Sequence, residues 1–291
     1  MTATATHTPV PRIETIGIAR AGTFYLRLHN SAGTADIAAP FIAGVAIVGD
    51  WTGSGIDRIG AVDTTTERFT VCVSADNTTC AQTANQIGFI YGQPNDIPSS
   101  WHVGTGLSDG VSVNRPSTGI TYFRKALSTG FADDTMIFGA PGDKPTVGDW
   151  SGKGFDSPGL YRNATAQFFL SNQVAANGTI PVNYVIAFGA TSVNYTPIAG
   201  SWLSTLSHDG VGLFANTTGS FYLKNDPTIS GFADNSFIFG LPGDQPVAGH
   251  WQSSYPPAAF APVLVVKTAS PLSTPLPANN ISVQGDSRIG G

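Results

Sequence analysis

Charge is scarce in this chain: Asp, Glu, Lys and Arg together make up 11% of its 291 residues, and the formal net charge is −5. With no basic stripe to neutralise a phosphate backbone, nucleic acid is not expected as a partner. Long apolar runs are missing as well. The longest, Ala258 to Val266, contains Pro262 and is about half of the ~20 residues that a spanning helix needs. The opening segment MTATATHTPVP has neither a charged n-region nor an apolar h-region, so it does not read as a secretory signal. Only two cysteines occur, Cys72 and Cys80, with the polar stretch Val73 to Thr79 between them. They read either as a local disulfide, which suits an oxidising compartment, or as two unpaired thiols. Paired acidic clusters, a Gly-rich phosphate loop and zinc-binding spacings are not found, so the sequence predicts no enzyme.

Glycine (34) and proline (20) are plentiful, as are Thr, Ser and Asn. Apolar runs last five to seven residues and are bounded by Gly, Asn, Asp and Pro, the pattern of short strands joined by turns. Self-similarity organises them. The five tryptophans, Trp51, Trp101, Trp150, Trp202 and Trp251, lie 50, 49, 52 and 49 residues apart, within AIVGDW, IPSSW, PTVGDW, PIAGSW and PVAGHW. A second mark, FIAG, FIYG, MIFG, IAFG and FIFG, ends at Gly44, Gly92, Gly139, Gly189 and Gly240. Two further apolar runs lie between each tryptophan and the next such glycine. Each unit of about 50 residues therefore holds about four strands, the size of a propeller blade.

The two ends of the repeat complement one another. ETIGIAR at Glu14 to Arg20 matches DSPGLYR at Asp156 to Arg162, so the chain enters its first unit without the tryptophan strand, and PVAGHW at Pro246 to Trp251 is a spare one. If that strand completes the first unit, no sheet edge is left open. The expectation is an all-β fold, a β-propeller of about five four-stranded blades closed by a C-terminal strand. The alternative has six blades, the sixth built from Tyr255 to Thr268. Residues 1–11 read as a Thr/Pro-rich linker, 12–268 as the propeller, and 269–291 as a Pro/Ser-rich linker or the start of a following domain.

PTVGDWSGKGFDSPGLYR followed by QFFLSN, and GFADNSFIFGLPGDQPVAG, resemble the FG-GAP-like (VCBS-like) repeats of bacterial surface and secreted proteins. The resemblance runs from about Glu14 to Trp251. It implies an extracellular or cell-surface binding module for glycan or protein ligands, with adhesion or carbohydrate binding as its work, or a rigid spacer. In that family the turn reads like DWDGDGxD and its carboxylates cage calcium. Here the turn DWTGSGID keeps Asp50 and Asp57 but has Thr52 and Ser54 where carboxylates would sit, and DWSGKGFD places Lys153 between Asp149 and Asp156. No cofactor is expected, apart from calcium near Asp50 and Asp57; the other aspartates read as turn residues.

A tryptophan that occurs once per unit reads as core between blades and not as a sugar platform. Phe24, Phe69, Phe168 and Phe221 recur in the same way. Residues that do not repeat are better site candidates. His102, His208 and His250 fall in equivalent turns on one predicted face, where three imidazoles could serve a transition metal or stand as solvated turn residues. Ser74 to Gln86, the longest insertion, is a candidate binding loop. Sequons stand at Asn77, Asn163, Asn177, Asn194 and Asn216. The terminal ISVQGDSRIGG resembles the first block of GDSL hydrolases, with Ser287 at the nucleophile position, but no base or oxyanion hole accompanies it. The reading is thus a non-catalytic, monomeric binding domain of a larger protein, or a spacer or accessory domain, in the second case of a GDSL-type hydrolase. Its ligand-binding residues are unknown from sequence.

Overall fold

Each unit folds into one antiparallel sheet because its short runs are separated by turn-forming residues and carry apolar side chains on both faces. A computed structural model describes residues 13–102, 108–174 and 177–252. The first sheet holds β1 (Thr15–Arg20), β2 (Thr23–Leu26) and β3 (Ile37–Pro40). The second holds β4 (Val45–Gly49), β5 (Arg58–Asp63), β6 (Arg68–Cys72) and β7 (Gln86–Ile90), and the third β8 (Ile97–Trp101), β9 (Gly110–Arg115), β10 (Ile120–Arg124) and β11 (Asp134–Ile137). The fourth is built from β12 (Lys144–Gly148), β13 (Ser157–Arg162), β14 (Gln167–Leu170) and β16 (Tyr184–Ala187). Between its last two strands the two-residue β15 (Gly178–Thr179) leaves to pair in parallel with β11. The fifth holds β17 (Tyr195–Gly200), β18 (Gly210–Ala215), β19 (Ser220–Lys224) and β20 (Asn235–Ile238). Finally β21 (Gln245–Gly249) returns to the first sheet and pairs with β1, Thr15 opposite Gly249 and Ala19 opposite Gln245.

The ring therefore closes at five blades, with a strand from each end of the repeat sharing one sheet. The inner strands form a cycle of neighbours: β21 lies against β4, β4 against β8, β8 against β12, β12 against β17, and β17 against β21. The only helices among the described residues are two short 3-10 turns, Asn77–Thr79 and Thr83–Asn85. Residues 1–11, the proposed sixth blade at 255–268, the segment 269–291 and Ser287 all lie outside the described residues.

The second strand of every blade is buried along nearly its whole length, since it is sandwiched between the blades on either side. Five apolar clusters fill the five seams, one per pair of neighbouring blades. All five tryptophans are core, between 1% and 6% exposed, and Phe24, Phe69, Phe168 and Phe221 are buried with them. Four tryptophan rings lie over the glycine two residues earlier. A Cβ on Gly49, Gly148, Gly200 or Gly249 would stand 2.7–2.9 Å from the ring of Trp51, Trp150, Trp202 or Trp251. The third blade departs from this frame. Trp101 faces Gly110 at the register where Gly49 faces Arg58, so it occupies the glycine's place.

Candidate functional site

Strands in each blade alternate in direction, so the turn after the inner strand and the connection between third and fourth strands lie on the same face of the ring. That face is built on a repeated clasp. An acidic residue one position before each second strand accepts a backbone N–H from the end of the preceding blade's inner strand and returns its own N–H to the same residue. Asp109 pairs in this way with Asp50, its Oδ2 2.7 Å from the Asp50 nitrogen and its own nitrogen 2.9 Å from the Asp50 carbonyl. Asp156 pairs with His102 at 2.7 and 2.8 Å, and Asp209 with Asp149 at 2.8 and 2.9 Å. Glu14 pairs with Ser201 at 3.3 and 2.8 Å, and Asp57 with His250 at 2.6 and 2.8 Å. The five clasps run round the whole ring. Desolvation, with Asp109 and Asp209 nearby, holds the Asp156 carboxyl well above the usual carboxylate range.

The three histidines take their places on this clasped face. His102 Nδ1 lies 2.8 Å from Asp109 Oδ1, His250 Nδ1 lies 2.9 Å from the Ile13 carbonyl, and His208 Nδ1 lies 3.2 Å from the Asp209 carbonyl. Their partners differ, and among the described residues no group of three or more His, Cys, Asp or Glu is placed to hold a metal ion. The Asp50 turn does not fit a calcium cage. Asp50 Oδ1 accepts from the Ser54 N–H at 2.9 Å and Oδ2 from the Gly55 N–H at 2.5 Å, so each oxygen already has a backbone partner, and Thr52 and Ser54 bring no second carboxylate to the turn. Asp57 Oδ2 is turned to His250, and Asp149 repeats the arrangement with the Lys153 and Gly154 N–H groups. A cation needs those oxygens facing inward.

The longer connections on this face cover the edges of the sheets. Each reaches back to the outer strand of the preceding blade. Thr129 Oγ1 accepts from the Ile90 N–H on β7 at 3.0 Å, and β15 extends β11. Ser230 Oγ accepts from the Ala187 N–H on β16 at 2.9 Å, and the Asn30 carbonyl accepts from Asn235 Nδ2 on β20 at 2.7 Å. The 3-10 turn Asn77–Thr79 packs on β3. A second closed circle of contacts therefore surrounds the first, and it shields unpaired strand edges.

The insertion Ser74 to Gln86 is anchored to the blade through Asn77 and Cys80, which are buried, while Ala75, Asp76, Thr78 and 81–84 are exposed. Cys72 and Cys80 are joined by a disulfide and are fully buried in the seam between the first and second blades. Asn77 is 3% exposed; its Oδ1 accepts from the Ile59 N–H at 3.1 Å and its Nδ2 donates to the Asp57 carbonyl at 3.1 Å. Arg58 donates to the carbonyls of Ser74 and Ala75 at 2.7 Å each. The sequon at Asn77 is thus out of reach of modification, whereas Asn177 and Asn194 are exposed.

What the sequence did not single out is a pair of phenylalanines. Phe131 and Phe232, in the connections β10–β11 and β19–β20, are 93% and 94% exposed. Each stands in a GFAD segment whose aspartate folds back on the loop: Asp133 Oδ2 accepts from the Lys125 N–H, and Asp234 Oδ2 from the Asn225 N–H, at 2.7 Å each. Arg124 further ties its loop to the Ser128 and Phe131 carbonyls at 2.6 Å each. The loops are held from within while the rings face solvent. The signal was present in sequence, because the first blade has GTAD at the aligned place, with Thr34 where the others carry phenylalanine.

On the opposite face, three blades share an aromatic–arginine–aspartate stack. Arg20, Arg115 and Arg162 each fork onto an aspartate of the incoming connection, Asp244, Asp96 and Asp143, with distances of 2.6–3.0 Å. Their guanidinium groups lie over Tyr25, Tyr122 and Phe169. Glu67 is the exception on this face. It is buried, takes a left-handed φ of 56°, and its Oε1 has no hydrogen-bond partner. Desolvation, then the nearby Asp96 and Asp63, pushes its carboxyl up to about 7.

No protein-family model matches the chain, and no curated protein matches it either. Among the solved structures it is similar to are two of BBS1N in complex with ARL6DN, one soaked with lead and one with mercury. Identity is 9% and 7%, over 69% and 68% of this chain, with TM-scores of 0.40 and 0.37. The chain spans 58% and 60% of the length of those proteins. Likeness of this degree carries no argument about function.

Proposed function

We propose that the ring is a non-catalytic binding module of a cell-surface or secreted protein, taking a protein or glycan ligand on the clasped face. The observation that carries this reading is the near-complete exposure of Phe131 and Phe232 on loops that are themselves tied down. Exposed aromatic rings on one face of a rigid scaffold supply contact area at low entropic cost, and no folding role accounts for them. The likeness of the repeats to FG-GAP-like sequences supports the same class of function.

A second reading, a rigid spacer, draws on the two closed circles of contacts, which make the ring stiff without any ligand. A glycan array, run with calcium and with a chelator, separates the two when the ring is compared with its Phe131→Ala/Phe232→Ala variant. A companion screen against purified surface proteins covers protein ligands. Binding that is at least tenfold weaker in the variant supports the module. Absence of binding by the unaltered ring in both screens transfers the assignment to the spacer.

A further inference from the structure

The third blade differs from its neighbours inside as well as at Trp101. At the mid-strand register of the second strand, four blades have a glycine, Gly17, Gly60, Gly159 and Gly212, and the third has Ser112. Opposite it on the inner strand stands Ser99, where the others have Val247, Ile47, Thr146 and Ile198. Where Phe24, Phe69, Phe168 and Phe221 fill the other cores, this blade has Thr121, paired with Asn114. Replacing a phenylalanine by a threonine removes most of a ring's volume, and all four changed positions are polar.

These four side chains line one small cavity in the seam between the third and fourth blades, closed on its far side by Pro145, Thr146 and Leu160, with a volume of about 10 Å³. That is the least space that accommodates one water molecule. Ser112 is 2% exposed, and on the same lining the buried Trp101 Nε1–H has no hydrogen-bond partner. Asn114 Nδ2 donates to Thr121 Oγ1 at 2.9 Å, which leaves the Thr121 hydroxyl proton and the Asn114 carbonyl oxygen available. A buried polar group without a partner costs about 1–3 kcal/mol, and an apolar void of this size would stay dry. Here the lining is polar on one side, and the apolar cluster of this seam is the smallest of the five.

We infer that this seam holds one ordered water as a fixed part of the fold, bound by the Ser112 hydroxyl together with Ser99, Asn114 and Thr121. The water completes what the missing phenylalanine leaves open. The test is a crystal structure of the ring, at a resolution that shows ordered water, alongside its Ser112→Ala variant. The expected result is one density peak within hydrogen-bond distance of Ser112 Oγ and at least one of the other three. In the variant, whose fold has room because the other blades carry glycine there, the peak is expected to be lost and the melting temperature to fall by several degrees. A cavity without density, or side chains rotated to bond one another across it, overturns the inference. So does a peak that persists unchanged in Ser112→Ala.

Discussion

The Asp57 carboxylate accepts the His250 backbone N–H at 2.6 Å and its own N–H returns to the His250 carbonyl at 2.8 Å, across 193 residues of sequence. This clasp fastens β21 to the second blade while its strand pairing holds it in the first, so one sheet and one seam depend on one short segment.

Asp57→Ala is expected to cost about 1.5–3 kcal/mol, the range for hydrogen bonds to a charged group. Deleting Pro246 to Trp251 is expected to lower the stability of the entire ring, since every blade buries both faces against neighbours. Urea unfolding followed by tryptophan fluorescence and by far-UV circular dichroism checks both. A deletion variant whose transition matches the unaltered ring contradicts closure by this strand.

Phe131→Ala and Phe232→Ala are expected to leave stability within about 0.5 kcal/mol, because side chains exposed above 90% hold nothing in place. Thermal melts read this directly. A drop of several degrees shows that the rings pack against something in solution and weakens their assignment to ligand contact.

Glu67 gives the ring a pH dependence of definite sign. Its folded carboxyl keeps its proton up to about 7, against an ordinary value of 4.5. Below pH 4.5 both folded and unfolded chains carry the proton, and Glu67 contributes no difference. Between 4.5 and 7 the unfolded chain releases the proton first, so stability falls as pH rises, and above 7 the loss is complete. Glu67→Gln removes the ionisation while keeping the shape. Melts at pH 5 and pH 8 are expected to show the variant gaining on the unaltered ring at the higher pH; equal differences at both contradict the shifted carboxyl.

Cys72→Ala/Cys80→Ala is expected to destabilise the ring by about 2–4 kcal/mol, the usual contribution of a disulfide. The loss is expected to exceed that of an exposed loop cross-link, because both sulfurs are core in the seam between the first two blades. Reduction followed by thermal melting of the unaltered ring gives an independent measurement of the same quantity.

The architecture was legible because the residues that fill seams repeat with the blades. Tryptophan and glycine recur together for a physical reason, the ring lying on the glycine, and the unmatched strands at the two ends are the two halves of one sheet. The exceptions were harder to read. IPSSW passes for a weakened copy of the tryptophan strand, whereas Trp101 has moved to the glycine's register, and the absence of a fifth recurring phenylalanine marked the polar interior around Thr121. The clasp escaped notice because its acid is aspartate four times and glutamate once, among turn residues that look merely polar. The long insertion with its cysteines reads as a recognition loop, and what sequence did not show is that Asn77 and Arg58 pin its base to the blade while its outer residues stay exposed. Phe131 and Phe232 look like core residues in a one-dimensional pattern, and only the backbone of their loops turns them outward.

His250 bonding to the Ile13 carbonyl places the first and last described stretches of the ring side by side on the clasped face. A domain whose entry and exit coincide adds almost no length to the polypeptide that carries it. Such a ring can be spliced into a surface loop of an unrelated protein, or cut and rejoined between any two blades, without stretching the chain on either side.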